Sequence, residues 1–204
     1  MRALFVVICS GGLTALIGCG KPAPPAAAVV PDAEPPPIPG GQTFESPVYK
    51  LWAKFPVGSR VVQRTTTENE DNKTEKTVTT ISYTLKQKTD EFIVVESQAT
   101  TTHYTGRVET NPASETKTRK MFSLPPGVKQ PEPKKAEEGA ENLTVAGKSY
   151  KATWTREKGF TEAGDSFTQT WSSDEVPGGL LRSVSKVPSK KATITVEVTE
   201  IAIP

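Results

Sequence analysis

Apolar and polar residues alternate along most of the chain after residue 57, the period-2 signature of half-buried β-strands. The runs so patterned are 60–67, 75–87, 92–104, a weaker 115–124, 143–145, 149–157, 165–172, 180–187 and 192–203. Polar turns such as Glu68-Asn69-Glu70-Asp71-Asn72-Lys73, Lys88-Thr89-Asp90-Glu91 and Ala146-Gly147-Lys148 separate them at hairpin spacing. One segment follows helical spacing instead. Val48, Leu51, Trp52 and Phe55 stand at i, i+3, i+4 and i+7, preceded by Ser46, a helix-capping residue, and by Pro47, suited to a first turn. The stretch 125–141, with Pro131, Pro133, Lys134, Lys135, Glu137 and Glu138, holds too little apolar content for an internal element and reads as a long exposed loop. The pattern predicts a mainly β fold with one short N-terminal helix. Its sheet is antiparallel, of about eight to nine strands, either curved or a partly closed barrel.

Before residue 46 the pattern is different. Met1 and Arg2 precede an apolar run, 3–17, of about 15 residues, short of the roughly 20 that a spanning helix needs. It ends at Gly18-Cys19-Gly20-Lys21-Pro22, as a secretory leader does. Eight of the 18 prolines then fall between Pro22 and Pro39, and this composition favours extended polyproline II with a reach of up to roughly 80 Å. The chain therefore divides into a leader (1–18), a Pro/Ala-rich spacer (19–45) and a single β-rich domain (46–204).

Leu16-Ile17-Gly18-Cys19 resembles the processing signal of bacterial lipoproteins, with a Leu three positions before the cysteine and a small residue just before it. The resemblance implies that diacylglycerol alkylates the Cys19 thiol and that Cys19 becomes the first mature residue. Two or more acyl chains hold a protein firmly at a membrane, at about 0.8 kcal/mol per buried CH2. Gly20 stands where Asp tends to retain such proteins in the inner membrane, so the resemblance points to the outer membrane, facing the periplasm or the exterior. Cys9 lies within the leader, leaving Cys19 as the single mature cysteine and no disulfide.

Composition narrows the function. Without Arg2 the chain has 24 basic and 23 acidic residues, interspersed, which argues against a nucleic-acid role. Threonine occurs 27 times, and together with Val and Ile it suits pleated, half-buried surfaces. One histidine and no free thiol beyond the anchor leave only carboxylates for a metal, and no loop has calcium-hand spacing. Gly178-Gly179 lacks the Lys-Ser/Thr that follows a phosphate loop, so no cofactor is expected.

The most distinctive interior stretch is 171–181, Trp-Ser-Ser-Asp-Glu-Val-Pro-Gly-Gly-Leu-Leu. Pro177-Gly178-Gly179 predicts a tight turn with positive φ, and Trp171 with Asp174 and Glu175 is the candidate surface site, a paired carboxylate beside an indole. The stretch resembles a Trp-x-Ser-x-x-Val-Pro-Gly-Gly element of uncharacterised bacterial secreted proteins and lipoproteins. Val145-Ala146-Gly147-Lys148 and Phe55-Pro56-Val57-Gly58-Ser59 match further parts of that resemblance. Members often carry a cysteine in the strand after the Val-Ala-Gly-Lys turn, where this chain has Ala152. His103, near Ser97 in one strand, lacks the Gly-x-Ser-x-Gly elbow of a nucleophile. No catalytic residue is expected. The reading is a non-enzymatic, lipid-anchored envelope protein that binds or scaffolds another envelope component. The alternative is a carrier or chaperone for an apolar ligand such as a lipid or lipoprotein.

Overall fold

A computed structural model describes residues 42–72, 74–125, 127–128, 136–161 and 164–204; the leader, Cys19 and residues 20–41 of the spacer lie outside them. Twelve strands, one α-helix and one short 3-10 turn form the described chain. β1 (Gln42–Glu45) precedes α1 (Pro47–Ala53), followed by β2 (Arg60–Asn69), β3 (Lys76–Lys88), β4 (Phe92–Thr102), β5 (Val108–Thr110), β6 (Ser114–Arg119) and β7 (Met121–Leu124). Then come β8 (Glu137–Val145), β9 (Lys148–Thr161), β10 (Gly164–Ser172), β11 (Leu180–Val187), the turn Pro188–Lys190 and β12 (Ala192–Ala202).

All pairings are antiparallel, as hairpin spacing predicts. The main sheet runs β5-β4-β3-β2-β12-β11-β10-β9-β8, with β6 also on β4, and β1 pairs with β7 in a separate ribbon. The sheet is open, with different strands at its two ends, yet it curls so that β8 approaches β12 across three intervening strands.

Three strands exceed the eight or nine expected. β1 forms inside the stretch whose composition reads as spacer, β5 is a three-residue strand, and the run 115–124 breaks at Lys120 into β6 and β7. The long exposed loop also shrinks. Residues 137–141 are the first half of β8, although Glu-Glu-Gly-Ala-Glu has no β-branched residue, because β9 extends far enough to offer them a complete ladder.

The helix forms as its sequence dictates. The Ser46 hydroxyl accepts from the Tyr49 N–H at 3.3 Å, Pro47 occupies the first turn, and the Lys88 ammonium donates to the carbonyl of Ala53, the helix's last residue, and to that of Phe55 just beyond it. Tyr49 and Trp52 enter a core with Val61, Leu85, Ile93, Val95, Val145, Tyr150, Ala152, Val176, Leu181 and Val198. This core sits at one end of the long strands. Consecutive strand residues point to opposite faces, and Val61 and Val62 are both buried, so both faces are covered there. Further along β2, Thr65, Thr66 and Thr67 are all partly exposed. At that end hydroxyls meet across strands: Thr79 with Thr101 at 3.0 Å, Thr100 with Thr110 at 3.2 Å, Thr168 with Ser185 at 3.0 Å.

Candidate functional site

Trp171 lies at the end of β10, followed by a β-bulge in which Trp171 and Ser172 oppose Arg182 and Leu180. The extra residue, Leu181, is sent into the core with no exposure, which is what a bulge does: it re-aims one side chain. The loop after it is tied by Ser173 N–H to Gly179 O at 2.8 Å and Gly179 N–H to Val176 O at 2.9 Å. Gly178 and Gly179 both have positive φ (+76° and +77°), and a Cβ on Gly179 would meet Leu51 at 2.9 Å. Val176 and Pro177 are fully buried. The Val-Pro-Gly-Gly element therefore seats α1 against the sheet, a packing role.

Within this element the proposed trio does not converge. Asp174, on a highly exposed side chain, pairs with Lys54 at 2.9 Å. The Glu175 N–H donates to the Ser173 hydroxyl at 3.4 Å, and burial first, then the Glu175 carboxylate, push the Tyr150 phenol above its ordinary range. Trp171 has a different partner: its indole N–H donates to the Glu141 carboxylate from β8.

Strand register surrounds Trp171 with residues far apart in sequence. Gly139, Trp154, Trp171, Arg182, Glu197 and Arg64 stand in line across β8, β9, β10, β11, β12 and β2. Residues directly opposite share a face, so two tryptophans and a guanidinium lie side by side. Two residues along, Glu137, Arg156 and Gln169 form the next line, and then Lys158, Phe167 and Lys186. The Arg182 guanidinium lies 5.6 Å from the Trp171 ring and that of Arg156 lies 4.7 Å from Phe167. Lys158 holds Glu137 at 2.6 Å, and its hydrogen bond and charge depress the Glu137 carboxyl below the ordinary glutamate range. Neither arginine has a carboxylate within salt-bridge distance among the described residues, and the Nε of each is buried without a hydrogen-bond partner.

His103 stands apart, at the turn after β4, with its Nε2 3.6 Å from Glu109. Ser97 is six residues back, within β4, roughly 20 Å away at about 3.3 Å per residue, and its hydroxyl meets Ser114 at 3.1 Å. The two form no nucleophile–base pair. Among the described residues no group of His, Cys, Asp or Glu is arranged to hold a metal, and no helix is long and apolar enough to cross a membrane. Two open grooves continue from the lines of paired residues, one lined by Arg64, Thr66, Glu68, Lys76, Val78, Thr195 and Glu197, the other by Glu70, Asp71, Gly164, Asp165, Lys186, Pro188 and Lys191.

Of this strip, the sequence reading singles out Trp171 alone. Trp154, Arg156, Phe167, Arg182 and Glu141 join it through register, and the available signal was their alternate spacing on runs flanking the Trp171 strand.

No family model matches the chain, and no curated protein matches it. Among solved structures it is similar to a protein from Bacteroides fragilis described as exported and of YmcC-like fold, at 10% identity over 72% of this chain and 97% of that one, with a TM-score of 0.44. It is also similar to a protein from Parabacteroides distasonis described as a lipoprotein, at 10% identity over 72% of this chain and 97% of that one, with a TM-score of 0.40.

Proposed function

We propose that this chain is a lipid-anchored protein of the bacterial cell envelope whose β domain docks, without catalysing a reaction, another envelope component. The leader, Cys19 and the proline-rich spacer supply the anchor and the reach, and the Trp154–Trp171–Arg182 strip with Arg156 and Phe167 supplies the docking face. One observation carries the choice of face: two guanidiniums stacked on aromatic rings, neither holding a carboxylate among the described residues. Stacking orients a guanidinium and leaves its terminal N–H groups, beyond the buried Nε, for planar acceptors. Trp and Arg are also the residues that dominate binding energy in protein interfaces. An apolar-ligand carrier is the second reading, and the grooves, lined mostly by charged and polar residues with Val78 and Pro188 among them, favour it less.

The test combines fatty-acid labelling in cells with crosslinking capture. The parent chain incorporates label and Cys19→Ser does not; Arg156→Gln/Arg182→Gln keeps the label and loses the captured component. Equal capture by the double variant sinks this face, and labelling of Cys19→Ser sinks the anchor.

A further inference from the structure

The β1–β7 ribbon stands outside the main sheet and contributes nothing to the core. Its four pairs set Phe44 opposite Phe122 and Gln42 opposite Leu124, so these four side chains share one face, which carries no charge. The Phe44 and Phe122 ring centroids are 5.8 Å apart. On this face Phe122 is 39% exposed while Phe44 and Leu124 are half-buried; Met121, 46% exposed, lies on the opposite face. Glu45, the ribbon's acid, points to the other face, opposite Met121. A two-stranded ribbon is marginal in water without something to cover its apolar side.

Its place in the chain points to an occupant. Gln42 opens the first described element, and 22 residues separate it from Cys19. A lipid on Cys19 would tether the chain nearer in sequence to the ribbon than to any other described element. The ribbon joins the domain at Ser46, whose N–H donates to Lys120 O at 2.7 Å, and charges of both signs stand near that junction: Lys50 in the last turn of α1, Lys120 near Tyr49 and Lys117 over Phe92, with Glu45 and Glu91 beside them.

We propose that the Phe44–Phe122–Leu124 face of the ribbon inserts into the headgroup–acyl boundary of the leaflet that holds the Cys19 lipid. Lys50, Lys117 and Lys120 meet its anionic headgroups. The ribbon then acts as a second contact that fixes which way the domain faces, while the spacer sets only how far it strays. This rests on the anchored reading above.

The experiment uses residues 20–204, which include every described element and carry no lipid, mixed with vesicles of phosphatidylethanolamine and phosphatidylglycerol. The protein co-sediments with the vesicles. Phe122→Ser weakens partitioning by about tenfold, in proportion to the apolar area withdrawn, whereas Phe122→Leu retains it, both variants melting like the parent. No sedimentation of the parent, or equal sedimentation of Phe122→Ser, overturns the proposal. So does a dimer in sedimentation equilibrium that Phe122→Ser dissolves, which assigns the face to a second copy. Fatty-acid labelling of the intact chain separates the two failures: label without vesicle binding removes the ribbon contact alone, and absence of label removes the anchor beneath it.

Discussion

Gly139 and Trp154 stand directly opposite each other on β8 and β9, and the Trp154 ring lies where a side chain at 139 would begin: a Cβ there would be 2.6 Å from two indole carbons. The absent side chain is thus what lets the indole lie flat on the edge strand. Gly139→Ala is expected to expel the ring and destabilise the fold by about 1–3 kcal/mol, the usual cost of overpacking. Urea unfolding with tryptophan emission reads both effects, and an unshifted midpoint with parental emission contradicts the arrangement.

The turn at Gly178-Gly179 sets a second expectation. Both residues are left-handed, and a Cβ on Gly179 would crowd Leu51 while one on Gly178 would touch the Trp52 indole at 3.1 Å. Gly179→Ala should cost about 1–2 kcal/mol for the backbone alone, plus the displacement of α1. Comparable loss should follow for Gly178→Ala. Thermal melts of both variants check this, and a neutral result would mean that α1 is not held by the turn.

Leu85 has no exposure and lies between α1 and the sheet end, its carbonyl accepting from the Gly58 N–H at 2.8 Å. Leu85→Ala should remove about 2–5 kcal/mol. A change below 1 kcal/mol, on the order of a surface substitution, would place the core elsewhere.

Two ion pairs give opposite pH signs. The Glu137 carboxyl is depressed by Lys158, so its contribution is present above the ordinary glutamate pKa and is lost as pH falls through the lowered value. The Lys191 amine is raised by its hydrogen bond to Asp71, so its contribution is present below the ordinary lysine pKa and is lost as pH rises through the raised one. Both groups are fully exposed and screened by salt. The measurable quantity is therefore the titration itself. NMR titration should show Glu137 returning to the ordinary range in Lys158→Met and Lys191 in Asp71→Asn; unmoved titrations would remove the pairs.

How legible the fold was depended on how local its causes were. Ser46-Pro47 and the 48/51/52/55 spacing encode α1 within ten residues, and the alternation in 192–203 encodes β12 in the same local way. Residues 137–141 carry no such code and become a strand because the opposite stretch of β9 supplies the hydrogen bonds. The strip was even less legible. Trp171 was visible as a large aromatic near a turn, but its neighbours Glu141, Trp154 and Arg182 come from three other strands, and only the pairing register brings them to it. Asp174 and Glu175, adjacent in sequence, turn toward Lys54 and the Tyr150 side instead.

The threonine-rich end of the sheet has a further consequence. Slipping a strand by one residue exchanges its two faces, and at Thr65-Thr66-Thr67 that exchange swaps threonine for threonine. Beyond a few cross-strand ties such as Thr79–Thr101 and Lys76–Glu68, alignment there is inherited from the buried end, like the teeth of a comb held at the spine. Loosening the spine would leave the teeth free to mesh one place out of line.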